Sequence, residues 1–74
     1  MNSDQLKALA FDKPFRPFVL EMIGGSRIGV LSAGAISIPP GEEPSYVLVY
    51  FMVGKISIPR FIDLDAIDHI DFEQ

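Results

Sequence analysis

The apolar residues Leu6, Leu9 and Ala10 recur at spacings of three and four, which sets them on one stripe of a helix. Ser3 stands before this segment as an N-cap, and Asp4 in the first turn complements the helix dipole. The pattern predicts about two turns, ending before Lys13-Pro14, because the residue preceding a proline is pushed out of the helical region. Isolated helices of fewer than about 12 residues are marginal, so the stripe must lie on other structure.

The pattern then changes to that of strands. Phe18 to Ile23 reads as a strand, Gly24-Gly25 as a tight turn, and Arg27 to Val30 as the returning strand. Leu31 to Gly34 has no clear period. Ala35-Ile36-Ser37-Ile38 alternates as a third strand until Pro39-Pro40-Gly41 breaks it. Pro39 to Ser45 has charge and breakers but little to bury, so it reads as an exposed, mobile loop between two halves of one sheet.

Tyr46-Val47-Leu48-Val49-Tyr50-Phe51-Met52-Val53 is eight apolar or aromatic residues without a polar break. It is too short for a buried helix and rich in β-formers, so it predicts a central strand. Gly54-Lys55 turns the chain, and Ile56-Ser57-Ile58 returns as far as Pro59, which cannot donate to a ladder and marks an edge or bulge. In the tail, Ile62 to Ile67 suits a short helical turn, and His69 to Phe72 a closing strand with Ile70 and Phe72 inward. The sum is a mainly β (α+β) single domain over residues 1–74. It has a short N-terminal helix followed by a five- to six-stranded, strongly bent antiparallel meander or small barrel, which would remove exposed edges.

Composition adds a constraint, because a chain of 74 residues buries only about 60% of its unfolded surface. There is no cysteine for a disulfide, and the single histidine, His69, has no thiolate to join it in a structural zinc site. Yet 49% of the residues are apolar, and the mean hydropathy is +0.30. Some of that apolar surface is expected to meet another protein. A net charge of -4 and six scattered basic residues, with a pI near 4.6, argue against a nucleic-acid partner, since phosphate binding needs clustered Lys and Arg. No stretch is long enough for a membrane span, and Met1-Asn2-Ser3-Asp4 does not open a signal peptide, so the expected location is cytoplasmic.

Phosphate loops, a Gly-x-Ser-x-Gly elbow, paired histidines and cysteine nucleophiles are all missing from the sequence, which points away from an enzyme and names no cofactor. The Gly24-Gly25-Ser26 turn offers N–H groups to an anion but is foremost a hairpin turn. His69 lies among Asp63, Asp65, Asp68 and Asp71, raw material for a metal site. On a regular strand, however, Asp68 and His69 face opposite ways and the Asp residues form a solvated face, so no metal ligand is assigned. Arg16, between two Phe-Pro units, can stack on an aromatic face for recognition or cap the sheet edge. The residues favoured for contact are Phe15, Arg16, Phe18, Tyr46, Tyr50 and Phe51.

The segment Pro14-Phe15-Arg16-Pro17-Phe18, after a Leu-bearing helix and before a Gly-turn hairpin, an apolar strand and an Ile-rich C-terminus, resembles a family of short uncharacterised bacterial proteins. The likeness covers nearly the whole chain, and the five-residue connector is its most specific part. The chain departs from that pattern at Gly24-Gly25-Ser26, where an Asp-Gly type of turn would be expected, and in its Pro39 to Ser45 loop. The resemblance implies a compact standalone domain and transfers no activity. The architecture is also similar to Sm-like and SH3-like small barrels, without the basic and aromatic nucleotide-contacting motifs of Sm-like proteins.

These readings favour a non-catalytic module that self-associates or binds a protein partner, because Tyr46 to Val53 has two apolar faces and one short helix to cover them. The alternatives are Sm-like nucleic-acid or nucleotide binding, and a small metal-dependent protein using His69 with the nearby Asp residues.

Overall fold

The N-terminal stripe does form a helix. In the computed structural model, which describes residues 3–41 and 43–72, α1 spans Ser3–Ala10 and buries Leu6 and Ala10. Leu9 packs partly against the same core. Ser3 is already helical among the described residues, and it is buried. The helix frays out through bonds from the Phe11 and Asp12 amides to the Lys7 and Leu9 carbonyls. Lys7 Nζ donates to the Gly41 carbonyl at 3.3 Å, tying the helix to the loop before the central strand.

Six antiparallel strands follow: β1 Phe18–Met22, β2 Arg27–Val30, β3 Ile36–Ser37, β4 Tyr46–Val53, β5 Ile56–Asp63 and β6 Ile67–Phe72. They form two three-stranded sheets, ordered β2-β1-β6 and β3-β4-β5, and not a closed barrel. The expectation of one sheet in two halves is thus corrected. The ambiguous stretch after β2 becomes a 3-10 turn, Ala33–Ala35, which redirects the chain so that β3 pairs with β4 instead of β1. The third strand shrinks to Ile36–Ser37. Of the Pro39 to Ser45 loop, Glu42 lies outside the described residues.

Both hairpin turns form where expected, with Gly25 at φ 93° and Gly54 at φ 63°, a region that side chains with a Cβ rarely enter. Strand β5 runs through Pro59 as far as Asp63, five residues beyond Ile58, where the alternation of the sequence stops. It is an edge strand, bonded to β4 alone, so a proline whose missing donor faces outward removes no ladder bond. The helical turn of the tail is the 3-10 segment Leu64–Ala66, where Asp63 accepts from the Asp65 amide at 3.0 Å. Two further bonds anchor it, from Leu64 N to Ser45 O at 3.0 Å and from Ile23 N to Ala66 O at 2.9 Å.

One core joins the inner faces of both sheets. Phe18, Leu20, Ile28 and Val30 come from the first sheet, Ile36, Val47, Val49 and Ile62 from the second, and Leu6 and Ala10 from the helix. Phe18 has no exposed surface. Phe18→Ala is therefore expected to lower the unfolding free energy by about 3–5 kcal/mol. Phe61→Ser, at a strongly exposed position, should stay within about 0.5 kcal/mol of the parent in dilute, monomeric solution. Urea denaturation of the two variants checks both values.

Candidate functional site

Register decides which side chains share a face. In the β4·β5 ladder Val47 stands opposite Ile62 and Val49 opposite Arg60, while Leu48 faces Phe61 and Tyr50 faces Pro59. Val47 and Val49 are fully buried. The other face carries Tyr46, Leu48, Tyr50 and Met52 from β4 with Phe61 and Pro59 from β5. Among the described residues this face is covered only in part: Tyr46, Met52 and Phe61 are 39%, 67% and 72% exposed, while Leu48 and Tyr50 are half-buried. Tyr46 and Phe61 meet edge-on, with ring centroids 5.2 Å apart. Asp63 is the one charged residue that register places on this face.

The distal end of the hairpin also exposes apolar groups from the inner face. Val53, Ile56 and Ile58 are all exposed there. Arg60 lies over the Phe51 ring at 5.5 Å, and Phe51 packs partly on the core. Beside this end, Gly29, Leu31, Ala35, Tyr50 and Met52 help to line an open groove of about 340 Å³.

The six residues favoured from sequence thus fall in two places. Tyr46 and Tyr50 lie on the outer face of β4, and Phe51 on its inner face. Phe15, Arg16 and Phe18 lie at the opposite sheet, where the Arg16 guanidinium sits 3.9 Å from the Phe72 ring centroid. Phe18 belongs to the core and supports Phe15, whose ring is 5.9 Å away, from beneath. Phe61, Pro59 and Met52 were not singled out in the sequence. The signal for the first two was hidden because Pro59 read as the end of a strand.

The outer face of the first sheet has the opposite character. Arg27, Glu21 and His69 form a row across β2, β1 and β6. Arg27 Nη1 contacts Glu21 Oε1 at 2.5 Å. His69 Nδ1 is 2.9 Å from Asp68 Oδ2, and Nε2 is 3.4 Å from Asp71 Oδ2. The contact with Asp68 overturns the expectation that neighbouring residues face opposite ways. Between Glu21↔His69 and Met22↔Ile67 the register shifts, leaving Asp68 as the extra residue of a β-bulge, and a bulge re-aims its side chain.

Comparisons with protein-family models, curated proteins and solved structures found no match. Among the described residues no helix is long and apolar enough to cross a membrane.

Hydrogen bonding to Asp68, followed by the field of Asp71, raises the His69 pKa above its ordinary 6.5. A raised folded value means that the proton stabilises the fold below the unfolded pKa, and that this contribution is lost as pH rises through the folded value. In an NMR titration His69 should titrate above 6.5, and Asp68→Asn should bring it down. An unchanged midpoint in the variant would remove Asp68 as the main cause.

Proposed function

We propose that this domain is a non-catalytic protein-interaction module that associates with a second copy of itself through the outer face of the β4–β5 hairpin. The observation that carries the reading is the apolar row of Tyr46, Leu48, Tyr50, Met52, Pro59 and Phe61, exposed at Tyr46, Met52, Pro59 and Phe61, on a chain with so little interior. Association cores are enriched in aromatic residues and methionine and depleted of charge, and this face fits both criteria. A second copy suits it because each chain carries a net charge of -4, and a face almost free of charge lets like-charged chains meet without burying repelling groups. The free edge of β5 lies beside it and offers unpaired backbone groups to an added strand.

The architecture is read as SH3- or Sm-like, a view supported by the helix followed by antiparallel strands divided between two sheets. Nucleic-acid binding has less support. Arg16 stacks on Phe72, Arg27 is held by Glu21, Arg60 lies over Phe51, and Lys7 reaches the Gly41 carbonyl.

Sedimentation equilibrium tests the proposal. The weight-average mass should rise with concentration towards that of a dimer. Phe61→Asp should weaken self-association by about 2 kcal/mol or more, roughly thirtyfold, while leaving the circular dichroism spectrum unchanged. A parent protein that stays monomeric at the highest soluble concentration would overturn the reading, as would a Phe61→Asp variant that associates like the parent.

A further inference from the structure

The polar face of the first sheet places three potential ligands on adjacent strands. Glu21 on β1 is the direct cross-strand partner of His69 on β6, and Asp71 lies two residues further along β6, on the same face. One donor atom from each of the three lies within 4.8 Å of the others. We propose that Glu21, His69 and Asp71 bind a borderline divalent cation of the Zn²⁺ type, with Asp68 orienting the imidazole from outside the coordination shell.

Three observations carry this assignment. The first is the tautomer. Asp68 Oδ2 lies 2.9 Å from His69 Nδ1, so when the imidazole is neutral with its proton on Nδ1, Nε2 is the ligand atom, 3.4 Å from Asp71 Oδ2. A cation joins Nε2 to that carboxylate, either a second proton, as in the ion pair with Asp71, or a metal ion in its place. A ligating histidine whose other nitrogen donates to a carboxylate is the usual arrangement at zinc.

The second observation is spacing. Two donors each about 2.0–2.1 Å from a tetrahedral zinc stand roughly 3.3 Å apart. Nε2 and Asp71 Oδ2 are separated by 3.4 Å. A Glu21 oxygen lies within 4.8 Å of both.

The third is the support of the Glu21 carboxylate. Arg27 holds Oε1 from the neighbouring strand β2, and a carboxylate has a second oxygen to offer a cation. The β-bulge that exposes the Asp68 contact also makes the site a property of the backbone and not of mobile side chains alone. An imidazole with two carboxylates suits Zn²⁺, Co²⁺ or Ni²⁺, whereas Mg²⁺ and Ca²⁺ prefer all-oxygen sets. The fourth position is left to water or to a donor from another molecule. This inference does not rest on the self-association reading, since the cluster lies on the other sheet.

The test is a Zn²⁺ titration of the full chain near neutral pH, followed through the ring nitrogens of His69 by NMR and through competition with a chelator. One Zn²⁺ per chain should bind, perturbing Nε2 and leaving Nδ1 protonated. Glu21→Gln and Asp71→Asn should each weaken binding about tenfold or more, and Mg²⁺ should not compete. These positions lie on the outer face, and circular dichroism verifies that each variant is folded. No uptake of Zn²⁺ would overturn the proposal. Equal affinity in Glu21→Gln would do so too, because it would reduce the site to a histidine with its strand neighbours, and so would displacement by Mg²⁺.

Discussion

The structure is governed by a shortage of covering material. Two sheets have four faces, and besides the strands the described residues supply one eight-residue α-helix and two short 3-10 turns. The two inner faces close on each other, with Phe18, Leu20, Val30, Val47 and Val49 between them and Leu6 filling in from the helix. That uses up the core-forming capacity of the chain. Each outer face must then be acceptable to water or to another molecule, and the two faces meet this demand in opposite ways.

The outer face of β2-β1-β6 is charged and internally paired, Arg27 with Glu21 across β2 and β1, and His69 with Asp68 and Asp71 on β6. The outer face of β4–β5 is apolar and open. Exposing large apolar side chains singly is ordinary, but a contiguous row of them marks an association surface. One sheet is therefore proposed to hold a cation and the other a second chain. The pairing of β1 with β6, the first and last strands, makes the cation cluster possible, because it brings residues 21, 69 and 71 together from opposite ends of the sequence.

Much of the fold was legible because local chemistry and tertiary structure agree. The Leu6, Leu9 and Ala10 stripe, the glycine turns, the unbroken run from Tyr46 to Val53 and the helical turn near Ile62 to Ile67 all appear. What was hidden depended on non-local facts. Pro59 interrupts β5 only if that strand needs donors on both sides, and edge position is set by topology. The division into two sheets hinges on a 3-10 turn at Ala33–Ala35, a segment with no hydrophobic period to announce it. The bulge at Asp68 comes from the shift in pairing with β1, so the sequence alone placed Asp68 and His69 on opposite faces and left Glu21 unconnected to either. The excess of apolar surface was visible in the sequence, but Phe61 as the most exposed residue of the outer β4–β5 face was not.

The most direct measurement of the central claim is an isotope-filtered NOE experiment on a mixture of ¹³C-labelled and unlabelled chains. Intermolecular NOEs are predicted among Tyr46, Leu48, Met52 and Phe61, the residues that register places on the open face. Intermolecular NOEs confined to other surfaces, such as the exposed Phe11 and Leu31, or none at concentrations near the solubility limit, would contradict the account.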